Sequence, residues 1–295
     1  MPEPSPDLSP LAAGLWRLPS WNLTAPELAR WTHSVADLGV TTIDLADIYG
    51  GYTVEESFGA ALAESPGLRD QLQLVTKCNI KLVNERRPEH TRHVYDSSAR
   101  HIIASVENSL RALGTDRIDV LLLHRWDPLL DPEEVLSAFS ELGRSGSVRS
   151  FGVSNFPPSS FEMLSQRLSV PLVAHQVEAS PLCLDPFQDG TFDQALAKGV
   201  VPMAWSPLAG GRLFEEDDER TVRVRGALAR VGADTGLSVA AAAYAFLARH
   251  PAGIIPVTGT RSIERISEAR MALSVELTRE HWFDIWTAST GASLP

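Results

Sequence analysis

Eight short apolar runs alternate with longer amphipathic stretches from one end of this chain to the other, and that alternation leaves few folds open. The runs lie near residues 11–15, 41–45, 72–76, 119–123, 149–153, 173–177, 200–205 and 254–258. A short apolar run bounded by turn signals reads as a strand buried on both faces. Between the runs the period changes. Pro26 to Leu38 places Leu28, Trp31, Val35 and Leu38 at helical spacing, with Thr24 positioned to cap them. Helical patterns continue over 54–63, 98–113, 132–142, 159–168, 192–198, 238–249 and 262–273. The final LTREHWFDIW reads as a helix that packs Trp282, Phe283 and Trp286 inward.

Strands separated by helices predict a parallel sheet with right-handed crossovers. A doubly wound sheet that binds a dinucleotide carries a glycine-rich turn after its first strand, and no GxGxxG occurs in this sequence. A closed α/β barrel, the (β/α)8 TIM barrel, fits the strand number and the length of 295 residues as one domain. Residues 1–10, rich in proline and acid, read as an irregular lead-in. Two long connections leave the same face. Residues 79–97 follow the third strand and could roof a site there, and residues 210–225 read as a second loop.

Active sites of such barrels sit at the C-terminal ends of the strands, where Asp44, Lys77, His124 and Ser154 fall, with Tyr49 five residues past Asp44. Tyrosine is a weak acid, with an ordinary pKa of about 10. A lysine ammonium beside it favours the phenolate; at ~4 Å and an effective dielectric of ~20 the attraction is ~4 kcal/mol, a ceiling of about three pKa units. Burial alone would deprotonate that lysine, and a carboxylate partner such as Asp44 keeps it charged. A histidine such as His124 can donate a hydrogen bond to a substrate oxygen, orient the carbonyl and pass a proton to Tyr49. Together the four residues can protonate a carbonyl oxygen while a hydride attacks its carbon.

The motifs around these residues resemble the aldo-keto reductase family from about Leu11 to the C-terminus. The likeness is carried by DLADIYGGYTVEESFG (44–59), VTK (75–77), LLLHRWDP (121–128) and GVSNF (152–156), in that order. It is nearest to a bacterial branch of oxidoreductases with short C-termini. The resemblance implies the barrel, NADPH-dependent carbonyl reduction, and the four residues as the catalytic set. It also implies an extended cofactor. Ser154, Asn155 and Gln176 would hold the nicotinamide carboxamide and Trp205 would stack on the ring. Ser206, Leu208, Gly210 and Arg212 would wrap the pyrophosphate. Gly259, Thr260, Arg261 and Arg265 would take the adenosine and its 2′-phosphate, favouring NADPH over NADH, and Glu268 would meet adenine. Ala269 departs from an asparagine common in related branches. Trp126 departs from a proline, and with Trp16, Arg17 and Trp21 it could wall a substrate pocket suited to apolar or aromatic carbonyls.

Composition narrows the classes. Asp and Glu total 37 against 26 Lys and Arg, a formal charge of −11, and an acidic chain argues against a nucleic-acid partner. Two cysteines make neither a disulfide framework nor a metal-ligand spacing; Cys78 reads as a small buried apolar residue pointing away from Lys77. The N-terminus lacks the basic and apolar regions of a signal peptide. No apolar run approaches the ~18 residues of a membrane span, so the cytoplasm is the expected location. The principal alternative to a reductase is a regulatory subunit that senses the NADPH/NADP⁺ ratio with little turnover; a lyase or isomerase working without nicotinamide is the third.

Overall fold

A computed structural model describes residues 7–294. The strands are β1 (Ala12–Gly14), β2 (Thr42–Asp44), β3 (Gln73–Cys78), β4 (Ile80–Lys81), β5 (Val94–Tyr95), β6 (Ile118–Leu123), β7 (Val148–Ser154), β8 (Leu172–Glu178), β9 (Val201–Trp205) and β10 (Ile255–Thr258). Eight of them close a barrel in the order β1-β10-β9-β8-β7-β6-β3-β2, every ladder parallel. These eight overlap the eight apolar runs. The remaining pair, β4 and β5, forms an antiparallel hairpin inside the 79–97 excursion.

Parallel pairing explains why the runs are continuously apolar. One side of each strand fills the barrel and the other faces a helix. Ala12, Val75, Val120, Leu122, Ala174, Met203, Ile255 and Val257 are buried together in the interior, a packed core rather than a pore. Register then sets the active end. Gly14 pairs with Asp44, Asp44 with Val75, and Lys77 with Leu122, so the ends of β2, β3 and β6 meet at one rim. Gly14 suits this close packing, because a Cβ would lie 2.9 Å from Val257 Cγ1 and 3.3 Å from the Thr258 carbonyl oxygen.

The opposite rim is tied by charge. Asp119, buried near the start of β6, accepts from Arg69 Nη2 at 2.8 Å, from the Leu74 amide at 2.9 Å and from Arg149 Nη1 at 3.0 Å. Both carboxylate oxygens are therefore satisfied, as a buried charge needs.

The helical patterns at 26–38, 54–63, 98–113, 132–142, 159–168, 192–198, 238–249 and 262–273 correspond to helices, as does the C-terminal one, Arg279–Thr290. Cap chemistry fixes several starts: the Ser98, Ser238 and Thr278 side chains accept from the amides of His101, Ala241 and His281. One expectation fails. Residues 210–225 are not a loop: a helix occupies Glu219–Thr235, started by Asp218, whose Oδ1 accepts from the amides of Arg220 and Thr221. It buries Val224, Ala227, Leu228 and Val231. The acidic run before it and the alternating TVRVR at its start obscured the helical period.

The 79–97 excursion is anchored. The Tyr52 hydroxyl accepts from the Leu82 amide at 2.9 Å and lies 3.3 Å from His90 Nδ1, while the Arg87 guanidinium sits 4.9 Å above the Tyr52 ring. Arg86 pairs with Glu56 at 2.7 Å and Lys81 with Asp96 at 3.0 Å. Among the described residues no single helix is long and apolar enough to cross a membrane.

Candidate active site

The C-terminal rim brings Asp44, Tyr49, Lys77 and His124 together. Lys77, next to last in β3, points inward and is 1% exposed. Its ammonium donates to Asp44 Oδ1 at 2.8 Å, the Leu45 carbonyl at 2.6 Å and Tyr49 Oη at 3.1 Å. An ammonium has three protons, so the lysine is fully engaged by its neighbours. Asp44 Oδ1 also accepts from Gln176 Nε2 at 2.7 Å. His124 lies edge-on to Tyr49, ring centroids 5.9 Å apart. Its Nδ1 is buried without a partner among the described residues.

The electrostatics correct one expectation. Lys77 does favour the Tyr49 phenolate, but burial outweighs it and Asp44 adds to burial, so the Tyr49 pKa is raised. Tyr49 therefore holds its proton at neutral pH. Burial pulls the Lys77 pKa down, yet Asp44 and Tyr49 overcome that and leave it raised and the side chain charged. Burial, with Lys77 and Arg125 nearby, drives the His124 pKa well below its ordinary value. His124 is thus a neutral imidazole, able to donate one hydrogen bond but not to serve as a charged acid.

Residues assigned by resemblance to the cofactor line the same rim. Asn155, in left-handed conformation at φ 56°, donates to Ser154 Oγ at 2.7 Å and to the His124 carbonyl at 3.3 Å, and accepts from Trp205 Nε1 at 3.0 Å. Trp205, at the end of β9, is thereby fixed in orientation. Gln176 faces Asp44 across the barrel, and its Oε1 receives no hydrogen bond from the described residues. After β9, Ser206, Ala209, Gly210 and Gly211 all have positive φ, with Leu208 packed beneath them. Left-handed turns of this kind gather amide protons into an anion-binding nest. Arg212 stands beside it, exposed, 3.8 Å from Glu178.

A second anion-favouring place is the N-terminus of the helix Ile263–Ala272. Gly259 and Thr260 precede it, and nothing lies within 4 Å of where a Gly259 Cβ would stand. Arg265 and Arg261 are exposed here. Arg265 makes no side-chain bond to the described residues, whereas Arg261 donates to the Trp21 carbonyl at 2.9 Å and so has less of its guanidinium available. Glu268 is half-buried in the same helix, beside the buried Ala269. The turn after β9 and the helix start after β10 thus give two phosphate-compatible places at the ends of neighbouring strands.

The substrate wall differs from expectation. The Trp21 side chain is buried against Trp31, ring centroids 5.1 Å apart, because the short helix Leu18–Trp21 folds it into the core. Arg17 donates to the Gly210 carbonyl at 2.6 Å and ties the two loops. Trp16 is 63% exposed. Trp126 is half-buried edge-on against Phe156. Cys78 is buried among apolar residues, as expected.

Sequence reading missed two residues. Arg125 carries its guanidinium 5.9 Å from the Trp205 ring, with no hydrogen bond or ion pair to the described residues. Its charge acts on Tyr49, His124 and Glu178. Its position next to His124 was the available signal. Asn79, just past β3, is the other. No group of three or more His, Cys, Asp or Glu among the described residues is placed to hold a metal ion.

A closed parallel barrel with a lysine, tyrosine, aspartate and histidine joined at its C-terminal mouth defines a barrel oxidoreductase. The family model described as the aldo/keto reductase family matches residues 10–288, and the chain belongs to that family. It is 50% identical over 283 residues to the uncharacterized oxidoreductase YcsN of Bacillus subtilis, covering 96% of this chain and 94% of that one. It is 44% identical over 286 residues to a 6-dehydroglucose reductase of Agrobacterium fabrum, covering 97% and 95%. The crystal structure of the thermostable aldo-keto reductase Tm1743, in complex with the inhibitor epalrestat, superposes with a TM-score of 0.80 at 26% identity, covering 95% of each chain.

Proposed function

We propose that this chain reduces an aldehyde or ketone to an alcohol, with Tyr49 as the general acid. The observation that carries the reading is the Lys77 ammonium, buried and bonded at once to Asp44 and to the Tyr49 hydroxyl. NADPH held by this rim would supply the hydride. Asn155, Ser154 and Gln176 would hold its carboxamide, Trp205 its ring, the 206–212 turn its pyrophosphate, and Arg265 with Arg261 its 2′-phosphate. Tyr49 gives its proton to the carbonyl oxygen as negative charge develops there. Lys77 then holds the phenolate, and Asp44 holds Lys77. Neutral His124 donates to the same oxygen and fixes its approach. Sequestering these groups from water makes each interaction stronger than in solution.

The substrate class follows from the mouth. Arg125 makes no side-chain hydrogen bond or ion pair to the described residues, and Glu178 and Arg212 stand close by. One relative is named for reducing 6-dehydroglucose. Hydroxyl groups flanking a carbonyl would satisfy such charged side chains, so sugar-derived aldehydes are favoured over purely apolar ones.

The test is loss of NADPH absorbance with an activated aldehyde such as 4-nitrobenzaldehyde, followed by glyceraldehyde. Turnover with both is expected. Tight NADPH binding without turnover on either would move the reading to a nucleotide-sensing subunit.

Two further outcomes are expected. Reduction needs protonated Tyr49 and uncharged His124. The first pKa is raised from about 10 and the second lowered well below 6.5. The kcat for reduction should therefore stay flat from about pH 6.5 to about pH 9 and fall only as Tyr49 ionises above that. An inflection near 6.5 that disappears in His124→Ala would refute the neutral imidazole. Arg265→Ala should weaken NADPH binding by about 10- to 100-fold and leave NADH nearly unchanged, because a charge-assisted bond to the 2′-phosphate contributes ~1.5–3 kcal/mol. Equal weakening of both cofactors, measured by fluorescence titration, would remove Arg265 from the phosphate site.

A further inference from the structure

Asn79 is 0% exposed and adopts a left-handed φ of 84° immediately after β3. Its carboxamide is engaged on both sides. Oδ1 accepts from the Arg125 amide at 3.1 Å, and Nδ2 donates to the Arg125 carbonyl at 2.8 Å and to Ser97 Oγ at 3.1 Å. The β3–β6 ladder runs to Cys78 and Leu123, and the His124 amide adds a last bond to the Cys78 carbonyl at 2.9 Å. At Asn79 the chain leaves for the 79–97 excursion, so no backbone remains to pair with Arg125. The Asn79 side chain takes the place of that missing rung. On its other side the His124 carbonyl accepts from Asn155. The catalytic histidine is therefore gripped on both flanks by asparagine amides.

We propose that Asn79 is a positioning residue that sets the imidazole of His124 through the Arg125 peptide. It also seats the Arg125 guanidinium at the mouth. The excursion's return is linked to the same amide, through Ser97 and through the Asp96 amide on the Asn79 carbonyl at 3.0 Å. An asparagine does this where other residues would not. It tolerates left-handed backbone, and it alone at that size offers an acceptor and two donors in one plane. One side chain meets both the N–H of the His124–Arg125 peptide and the C=O of the next only if it carries an acceptor and a donor side by side. The inference rests on the reading of His124 as the group that orients the carbonyl.

The test is Asn79→Gly, which keeps the backbone conformation and deletes the clamp. A misplacement of about 1 Å at a catalytic group costs on the order of 100-fold. Asn79→Gly should lower kcat by about 10- to 100-fold, with the NADPH dissociation constant within about twofold of the original protein. Ser97→Ala removes only the excursion-side bond and should leave kcat within about twofold. In a His124→Ala background Asn79→Gly should cost almost nothing further, because its effect passes through His124. Equal losses in Asn79→Gly and Ser97→Ala, or losses that multiply with His124→Ala, would overturn the proposal.

A readout independent of turnover separates this proposal from the reductase reading. The imidazole nitrogen signals of His124, assigned in a ¹⁵N-histidine spectrum by their absence in His124→Ala, should shift or broaden in Asn79→Gly. Unchanged signals would overturn the proposal even in an active enzyme; shifted signals would support it even if no carbonyl is reduced. Should the glycine variant not fold, Asn79→Asp carries the same test. It keeps the left-handed backbone and the acceptor for the Arg125 amide, and loses the amide donors.

Discussion

Replacement of Tyr49 by phenylalanine is expected to lower kcat for carbonyl reduction by about 10²–10⁴-fold and to leave the fold and NADPH binding nearly unchanged. The substitution is conservative in shape. The ring keeps its edge-on contact with His124 and its place beneath the Lys77 ammonium, 4.9 Å from the ring centroid. Lys77 loses one of three acceptors but retains Asp44 and the Leu45 carbonyl. What disappears is the hydroxyl proton that the proposed mechanism transfers to the carbonyl oxygen. His124 cannot replace it, since its pKa is held far below neutrality and its neutral ring is a poor acid. Steady-state rates with 4-nitrobenzaldehyde, paired with a fluorescence titration of NADPH, give both halves of the result. Turnover within tenfold of the original protein would remove Tyr49 from the role of acid. Weakened cofactor binding at unchanged kcat would instead make it a cofactor contact.

The barrel was legible because its strands are buried on both faces, which leaves continuous apolar runs whose number and spacing survive in the sequence. Gly14, Asp44, Lys77 and Leu122 share a rim because of pairing register, and strand ends inherit that register without further information. The tetrad was legible for the same reason. Its electrostatics were not. Whether Lys77 or burial dominates at Tyr49 depends on how completely water is excluded, and the answer, burial, reverses the expected direction. Side chains on connections were also hidden. Trp21 and Trp16 lie five residues apart after the same strand, yet a four-residue helix turns one into the core and leaves the other in solvent. Arg261 looks like a free cation until the Trp21 carbonyl is found beside it. Asn79 carries no motif: its role appears only when β3 and β6 lie side by side and the backbone pairing runs out. The helix Glu219–Thr235 was lost because polar and acidic residues mask its apolar face over the first turn.

Lys77→Met is expected to remove both catalysis and a large part of the stability, and a second substitution should separate the two losses. Methionine fills the lysine stem's space but leaves Asp44, 3% exposed, with a charge and no cation. Breaking a buried pair from one side costs about 3–5 kcal/mol, a substantial share of the 5–15 kcal/mol that holds a typical domain. The Leu45 carbonyl also loses its donor. For catalysis, the phenolate formed at Tyr49 would face Asp44 and low-dielectric surroundings with nothing to offset them, so kcat should fall at least as far as in Tyr49→Phe. Adding Asp44→Asn removes the uncompensated charge, and its side-chain oxygen can still accept from Gln176 Nε2. The double variant should recover most of the lost stability in a urea titration, while kcat stays at the level of Lys77→Met. That pattern would mean that Asp44 is tolerated in the barrel only because Lys77 is there, and that Lys77 is needed for Tyr49. A Lys77→Met protein as stable as the original would show that the Lys77–Asp44 pair adds nothing to the stability of the barrel. A double variant that regains activity would show that Tyr49 needs no cation, and the assignment of Lys77 would fall.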